Sequence, residues 1–413
     1  MTDYSRASSK ITFILFLAQS LTSAGIIATA TVNSILGAKL GGAPLAGAPS
    51  AVFLLGGAVA SLLLGILMDL LGRRNGIALG LLLGVLGSGL VVYAANQSVL
   101  LWMLAGMVMM GFANSAMKLG RFAAAEVHPA NKRGAAISRV VFGGAVGAIV
   151  GPFLVTFMGA FSLRLGMDEV AGAYLSSLGL LALGSMIVFI GLRPDPRDLG
   201  EQIAEMYPDS APKGDARPIG VILRQPAALT AVIAMVFGQM VMVAIMVITS
   251  LYMKVHNHPL SAISIVFAGH TFGMYAFSVL SGRLVDKWGR GPVILVGAAT
   301  LILACLTAPL TQDLIPLIFS LFLLGLGWNF CFVGGSTLLA DQLSPAERSR
   351  TQGVNDLLVG LASATGSLGS GLVYAATSYS VITLAAGALS LLPLVVVVSW
   401  MRRRRHAATS AYI

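Results

Sequence analysis

"GILMDLLGRR" occupies residues 65–74, and "GRLVDKWGRG" occupies residues 282–291. Gly65, Asp69, Gly72 and Arg73 of the first recur as Gly282, Asp286, Gly289 and Arg290 of the second, each 217 residues later. A second echo pairs "HPANKRG" (128–134) with "SPAERSR" (344–350). All four segments sit in loops between long apolar runs. A greasy chain that repeats a whole half carries the sequence signature of an alternating-access transporter.

The composition agrees. The 413 residues have a mean hydropathy of +0.88 and only 10% charged side chains, against about 25% in a soluble domain. The 48 glycines let helices approach closely in lipid. Runs long enough to cross a bilayer (about 20 residues) fall near 11–37, 49–71, 76–95, 99–122, 135–161, 169–192, 227–253, 261–284, 291–310, 314–340, 352–375 and 380–401. This predicts an all-α membrane protein of twelve helices in two six-helix bundles. The expected division is a first bundle over 1–192, a polar linker over 193–225, a second bundle over 226–402 and a tail over 403–413.

The net charge of +10 is topological. Arg73, Arg74, Lys132, Arg133, Lys287, Arg290, Arg348 and Arg350 fall in alternate loops, on the side shared by both termini and by "RRRR" at 402–405. The positive-inside rule puts that side in the cytoplasm. No soluble basic domain exists to hold nucleic acid. No nucleotide-binding G-x-x-x-x-G-K-[ST] loop is present, so transport is expected to run on a gradient. No catalytic constellation stands out, and no permanently bound cofactor is implied. Cys305 and Cys331 both lie in apolar runs and argue against a disulfide framework.

The motif G-x-L-x-D-x-x-G-R-[RK], present in both halves, resembles the loop signature of the major facilitator superfamily. That resemblance implies two bundles around a central cavity. It also implies that Asp69 and Arg73, with Asp286 and Arg290, act as gating contacts on the cytoplasmic side.

Charged residues at membrane depth are functional candidates by default. Lys118 and Arg121 lie on the cytoplasmic part of span four. Arg139 and Asp356 are 217 residues apart, at equivalent places in spans five and eleven. They read either as a structural gate pair or with Asp356 as a proton carrier. Asn114 and Asn329, 215 apart, read as cavity amides or as helix glue. Met103, Met107 and Met110 form a stripe on span four, with cavity lining and core packing as the two readings. The drug–proton antiporters of the superfamily carry an arginine in the first half of span four; here "LWMLAGMVMMGFANS" has none. "GAVGAIVGP" (144–152) does resemble their glycine-proline motif, although such bends also serve packing alone.

Met242 and Met246 on span seven, and His270 and Met274 on span eight, are each four apart and so share a helix face. At a rise of about 1.5 Å per residue they lie roughly 10–20 Å below the outer surface. Thioethers are soft ligands that favour Cu(I), and imidazole also accepts copper. His256 and His258, on the outer loop above, read as metal collectors or as ordinary loop residues. The pair M-x-x-x-M and H-x-x-x-M is similar to the signature of the CcoA-like copper importers of bacterial inner membranes. The resemblance implies a monomeric inner-membrane permease that imports Cu(I) as cargo, with Met242 and His270 as leading ligands. Related branches imply the alternative, a proton-coupled carrier of a small organic solute such as a drug or riboflavin.

Overall fold

The computed structural model describes residues 2–206 and 217–410, and within them the secondary structure is helical, without strands. Twelve segments among the described residues are long and apolar enough to cross a membrane. They fall close to the expected runs, with two differences. Several helices extend past the apolar run into polar sequence, as at Thr2–Gly41 and Tyr379–Ser410. The eighth span, expected to be continuous, is broken into two helices.

The chain forms two compact units, Met1–Ala211 with Pro259–Ser264, and Pro212–His258 with Ile265–Ile413. In the first unit the helices are α1 (Thr2–Gly41), α2 (Ala48–Leu71), α3 (Arg73–Gln97), α4 (Leu100–Glu126), α5 (Ala130–Arg164), α6 (Ala171–Gly191) and the short surface helix α7 (Pro196–Met206). Small residues set its packing. Gly143, Gly147 and Gly151 line one face of α5, and a methyl at any of them would collide with a carbonyl of α1: Phe16, Ser20 or Ala24 respectively. Ser23 Oγ donates to the Gly144 carbonyl across the same seam at 2.7 Å. The "GAVGAIVGP" segment is therefore the contact surface for α1.

The second unit holds α8 (Ile219–Leu223), α9 (Pro226–Val255), α10 (Leu260–Tyr275), α11 (Ser278–Trp288), α12 (Arg290–Thr307), α13 (Leu314–Ala340), α14 (Pro345–Ala376) and α15 (Tyr379–Ser410). α10 and α11 are the two halves of span eight; α10 begins within the short segment that belongs to the first unit. α13 packs its glycines against α10 and α12: Gly325 lies against the His270 backbone, and Gly327 against the backbone of Leu301 and Gly297. Both cysteines are free and buried.

Candidate functional site

The repeated loop motif owes its glycine to backbone geometry. Gly72 and Gly289 have φ/ψ of 87°/162° and 89°/166°, a region closed to residues with a Cβ. Each glycine turns the chain sharply from one helix into the next and presents the following arginine. In the first unit the Arg73 guanidinium donates to both Glu126 oxygens at 3.0 Å, to Asp69 Oδ1 at 2.6 Å and to the Met68 carbonyl at 3.0 Å. Asp195 then accepts the backbone N–H groups of Arg73 and Arg74 at 3.0 and 3.1 Å. A carboxylate there satisfies orphan donors of α3 and complements its dipole. Arg197 donates to the Asp69 carbonyl at 2.7 Å, so the start of the linker is fastened to the motif.

In the second unit Arg290 donates to Asp341 at 2.7 and 3.4 Å, at the end of α13. Asp286 lies near enough to favour the charged guanidinium but is not its hydrogen-bond partner. Every partner named so far belongs to the same unit as its arginine. Glu126 and Asp341 were not singled out in the sequence, yet they stand 215 residues apart, the offset that relates Asn114 to Asn329. The linker's far end is fastened too. Glu347, 2% exposed, accepts the Arg217 side chain at 2.6 and 2.9 Å, the Arg217 N–H at 3.0 Å and the Ser344 N–H at 2.9 Å. Ser344 and Glu347 form a capping box that starts α14.

The intramembrane charges are spread out. Arg139 and Asp356 are both exposed; within its own unit Asp356 accepts from Gln352 Nε2 at 3.2 Å. The Arg121 guanidinium lies over the Phe122 ring, 4.9 Å from its centroid.

The methionine and histidine constellation lies in the second unit. Met242 and Met246 on α9 are each 6% exposed and His270 on α10 is 3% exposed; Met274 is half-buried. Measured from the helix ends, Met246 and His270 sit roughly 14–15 Å in, and Met242 and Met274 roughly 20 Å. The paired depths match, as expected from the spacing. His270 Nδ1 donates to the Leu321 carbonyl on α13 at 2.9 Å. A carbonyl only accepts, so Nδ1 carries a proton, and in the neutral ring Nε2 keeps its lone pair. The outer histidines have local partners: His256 Nδ1 meets the Tyr252 carbonyl at 2.7 Å, and His258 Nε2 meets the Gln312 carbonyl at 3.0 Å.

Just beyond Met274 the helix stops, at Ala276 and Phe277. In an unbroken helix the Met274 carbonyl would accept from the Ser278 N–H. At the break it accepts from Asn329 Nδ2 of α13 at 2.6 Å. The same amide nitrogen donates to Ser278 Oγ at 3.0 Å, and Asn329 Oδ1 accepts from Ser281 Oγ. Asn329 is thus helix glue, bonded to both halves of span eight. On the preceding residue, Trp328 Nε1 donates to Gln239 Oε1 on α9 at 2.6 Å. The Trp328 ring stacks on Phe332 at 4.9 Å and meets Tyr275 edge-on at 6.3 Å. Sequence reading missed this aromatic–amide group, although it singled out the adjacent Asn329. α13 is the shared wall: it bonds α9 through Trp328 and α10 through Leu321 and Asn329.

The Major Facilitator Superfamily model matches residues 15–268 and 233–411. The chain belongs to that superfamily. It is similar to the "Uncharacterized MFS-type transporter YdeG" of Bacillus subtilis, 34% identical over 395 residues, which are 95% of this chain and 92% of that one. It is also similar to the riboflavin transporter RfnT of Brucella anthropi, 30% identical over 366 residues, 87% of each chain. In fold it resembles a crystal structure of a D-xylose–proton symporter, with a TM-score of 0.72 at 18% identity over 94% of this chain and 96% of that one. It is a secondary transporter embedded in a membrane.

Not every residue read from the carrier's sequence reaches an accessible wall. Met103, Met107 and Met110 are at most 1% exposed and lie in the packed interior of the first unit, with Met117. Their cavity reading is corrected: the stripe carries Gly106 and Ala113 between the methionines, and these small residues pack against Gly87 and Gly84 of α3. The methionines fill the space around that close approach. Asn114 is half-buried and makes no hydrogen bond among the described residues. The two equivalent amides therefore differ: Asn329 is committed to hydrogen bonds, and Asn114 is not.

Proposed function

We propose that this transporter carries a small, flat organic solute of the flavin class across a bacterial inner membrane, with both termini cytoplasmic. The observation that carries the reading is the 30% identity with a riboflavin transporter across 87% of both chains. The Trp328, Tyr275, Phe332 and Gln239 group supports it, because stacked aromatics beside an amide suit a planar heterocycle. Asp356, an exposed carboxylate in an otherwise apolar span, is the proton-coupling candidate, with Arg139 as its counterpart in the other half. Asp69, Arg73, Asp286 and Arg290 serve the gate. The test is uptake of radiolabelled riboflavin by a riboflavin-requiring strain with and without the protein. The protein should raise uptake about tenfold or more, a difference of roughly 1.4 kcal/mol in barrier or affinity. Trp328→Ala should remove most of that gain. Equal uptake by both strains sinks the flavin reading.

Import of Cu(I) is a second reading, favoured by one specific observation. A metal-binding histidine usually gives its other ring N–H to a carbonyl, and His270 does so to Leu321. Met242, Met246 and Met274 then supply soft sulfur at matching depth. Radiocopper uptake separates the two readings, since a flavin carrier moves no copper. Copper here is cargo, held by exchangeable neutral ligands.

A further inference from the structure

The second unit has a basic recess that the transport reading does not use. Its volume is about 610 Å³, and it is lined by Ala227, Arg290, Asp341, Gln342, Trp400 and Arg404 among others. An adjoining recess of about 470 Å³ shares Ala227, Gln342, Trp400 and Arg404 and adds Arg403. Arg290 is neutralised by Asp341, the only acid in either wall. Neither Arg403 nor Arg404 has a carboxylate partner among the described residues. The two adjoining recesses therefore share one uncompensated cation, Arg404, and Arg403 adds a second in the smaller one.

Its place in the fold says what it meets. α15 leaves the membrane without a break, so its arginines stand on a rigid helix directly past the last apolar turn. Arg403 and Arg404 follow Trp400 by three and four residues and so share its face. The Arg404 guanidinium lies 5.8 Å from the Trp400 ring centroid, which holds it beside the recess. Tryptophan is the residue of the headgroup layer. Arginine forks match the paired oxygens of a phosphate. Clusters of basic residues at this position attract the anionic lipids of the cytoplasmic leaflet.

We propose that this recess binds the phosphate of an anionic phospholipid headgroup, gripped by Arg403 and Arg404 with the acyl chains along α15. A phosphate there also competes with Asp341 for Arg290, so lipid composition bears on the loop motif. The test uses the full chain in phosphatidylcholine vesicles containing phosphatidylglycerol, extracted gently and weighed intact to count retained phosphatidylglycerol. Arg403→Gln with Arg404→Gln should lower retention about tenfold. Arg402→Gln with Lys132→Gln removes equal charge from exposed positions outside the recess and should leave retention unchanged. Equal losses in both double variants would mean a general attraction to the leaflet and would overturn the proposal. So would unchanged retention in both. Inorganic phosphate provides the last arm: if it strips the lipid where chloride of equal ionic strength does not, the recess is a soluble-anion site and the lipid assignment fails.

Discussion

Asn329 shows how much one side chain carries in this bundle. Its amide bonds the Met274 carbonyl beside the break in span eight, at a position only 2% exposed. Asn329→Leu should therefore destabilise the carrier by roughly 1–3 kcal/mol, the cost of a buried carbonyl without a partner. Thermal unfolding in detergent reads this, and Asn329→Asp at low pH, where the carboxylic acid can donate, should recover part of the loss. His270 invites a finer dissection. Gln can still donate to the Leu321 carbonyl but is a poor copper ligand, whereas Ala loses both functions. Under the flavin reading His270→Gln should keep transport and His270→Ala should lose stability; under the copper reading both should lose uptake. The sequence identified both residues, because polar side chains at membrane depth are rare. It did not identify their partners. Leu321 takes part through its carbonyl, and "YAFS" at 275–278 has no proline or glycine to flag a break.

Helices in this protein are set by small residues and by their ends. Gly147 faces the Ser20 carbonyl of α1 so closely that any side chain must push the helices apart. Gly147→Val should cost about 1–3 kcal/mol through overpacking, while Gly179→Val, at a position with nothing nearby, should be nearly silent. The start of α14 gives a pH dependence. Arg217 foremost, then the backbone N–H groups of Ser344 and Arg217, hold the Glu347 carboxyl well below the usual carboxylate range. A depressed folded value means that its stabilisation is full above the unfolded value of about 4.3 and is lost as pH falls below it. Melting temperature should fall on acidification from about pH 5 downward. Glu347→Gln should start lower and lose less of its melting temperature over that range. The positions of the spans were readable because lipid demands a fixed apolar length. Their ends were not, since α5 and α15 run on into charged sequence that water solvates as readily as a loop.

For the whole molecule, the doubled motif was the strongest signal, and the structure gives it a cause. A backbone conformation only glycine adopts occurs at Gly72 and again at Gly289, and an arginine follows each. The acids that receive those arginines, Glu126 and Asp341, escaped notice because they lie at the ends of other helices, α4 and α13, and follow the 215-residue offset instead of 217. The substrate was least legible. Four donors at helical spacing suit copper, and the aromatic group that suits a flavin is assembled from three helices that no sequence pattern links. Swapping the acids, Glu126→Asp with Asp341→Glu, should leave the fold intact. It should change transport rate more than apparent affinity, because these residues hold the loop motif and touch no solute; initial-rate uptake across a concentration series separates the two.

The break in span eight also has a kinematic meaning. A continuous helix transmits torque, since its hydrogen-bond ladder resists twisting about the axis. At Ala276 and Phe277 that ladder is interrupted, and Asn329 bonds both pieces to α13, with His270 tying the first piece again through the Leu321 carbonyl. Such a joint holds the pieces to one wall without the ladder that would lock the roll of one to the other. His270 and Met274 ride on one piece and Asp286 of the repeated motif on the other, so a twist in the motif-bearing piece is not forced along the backbone into the other.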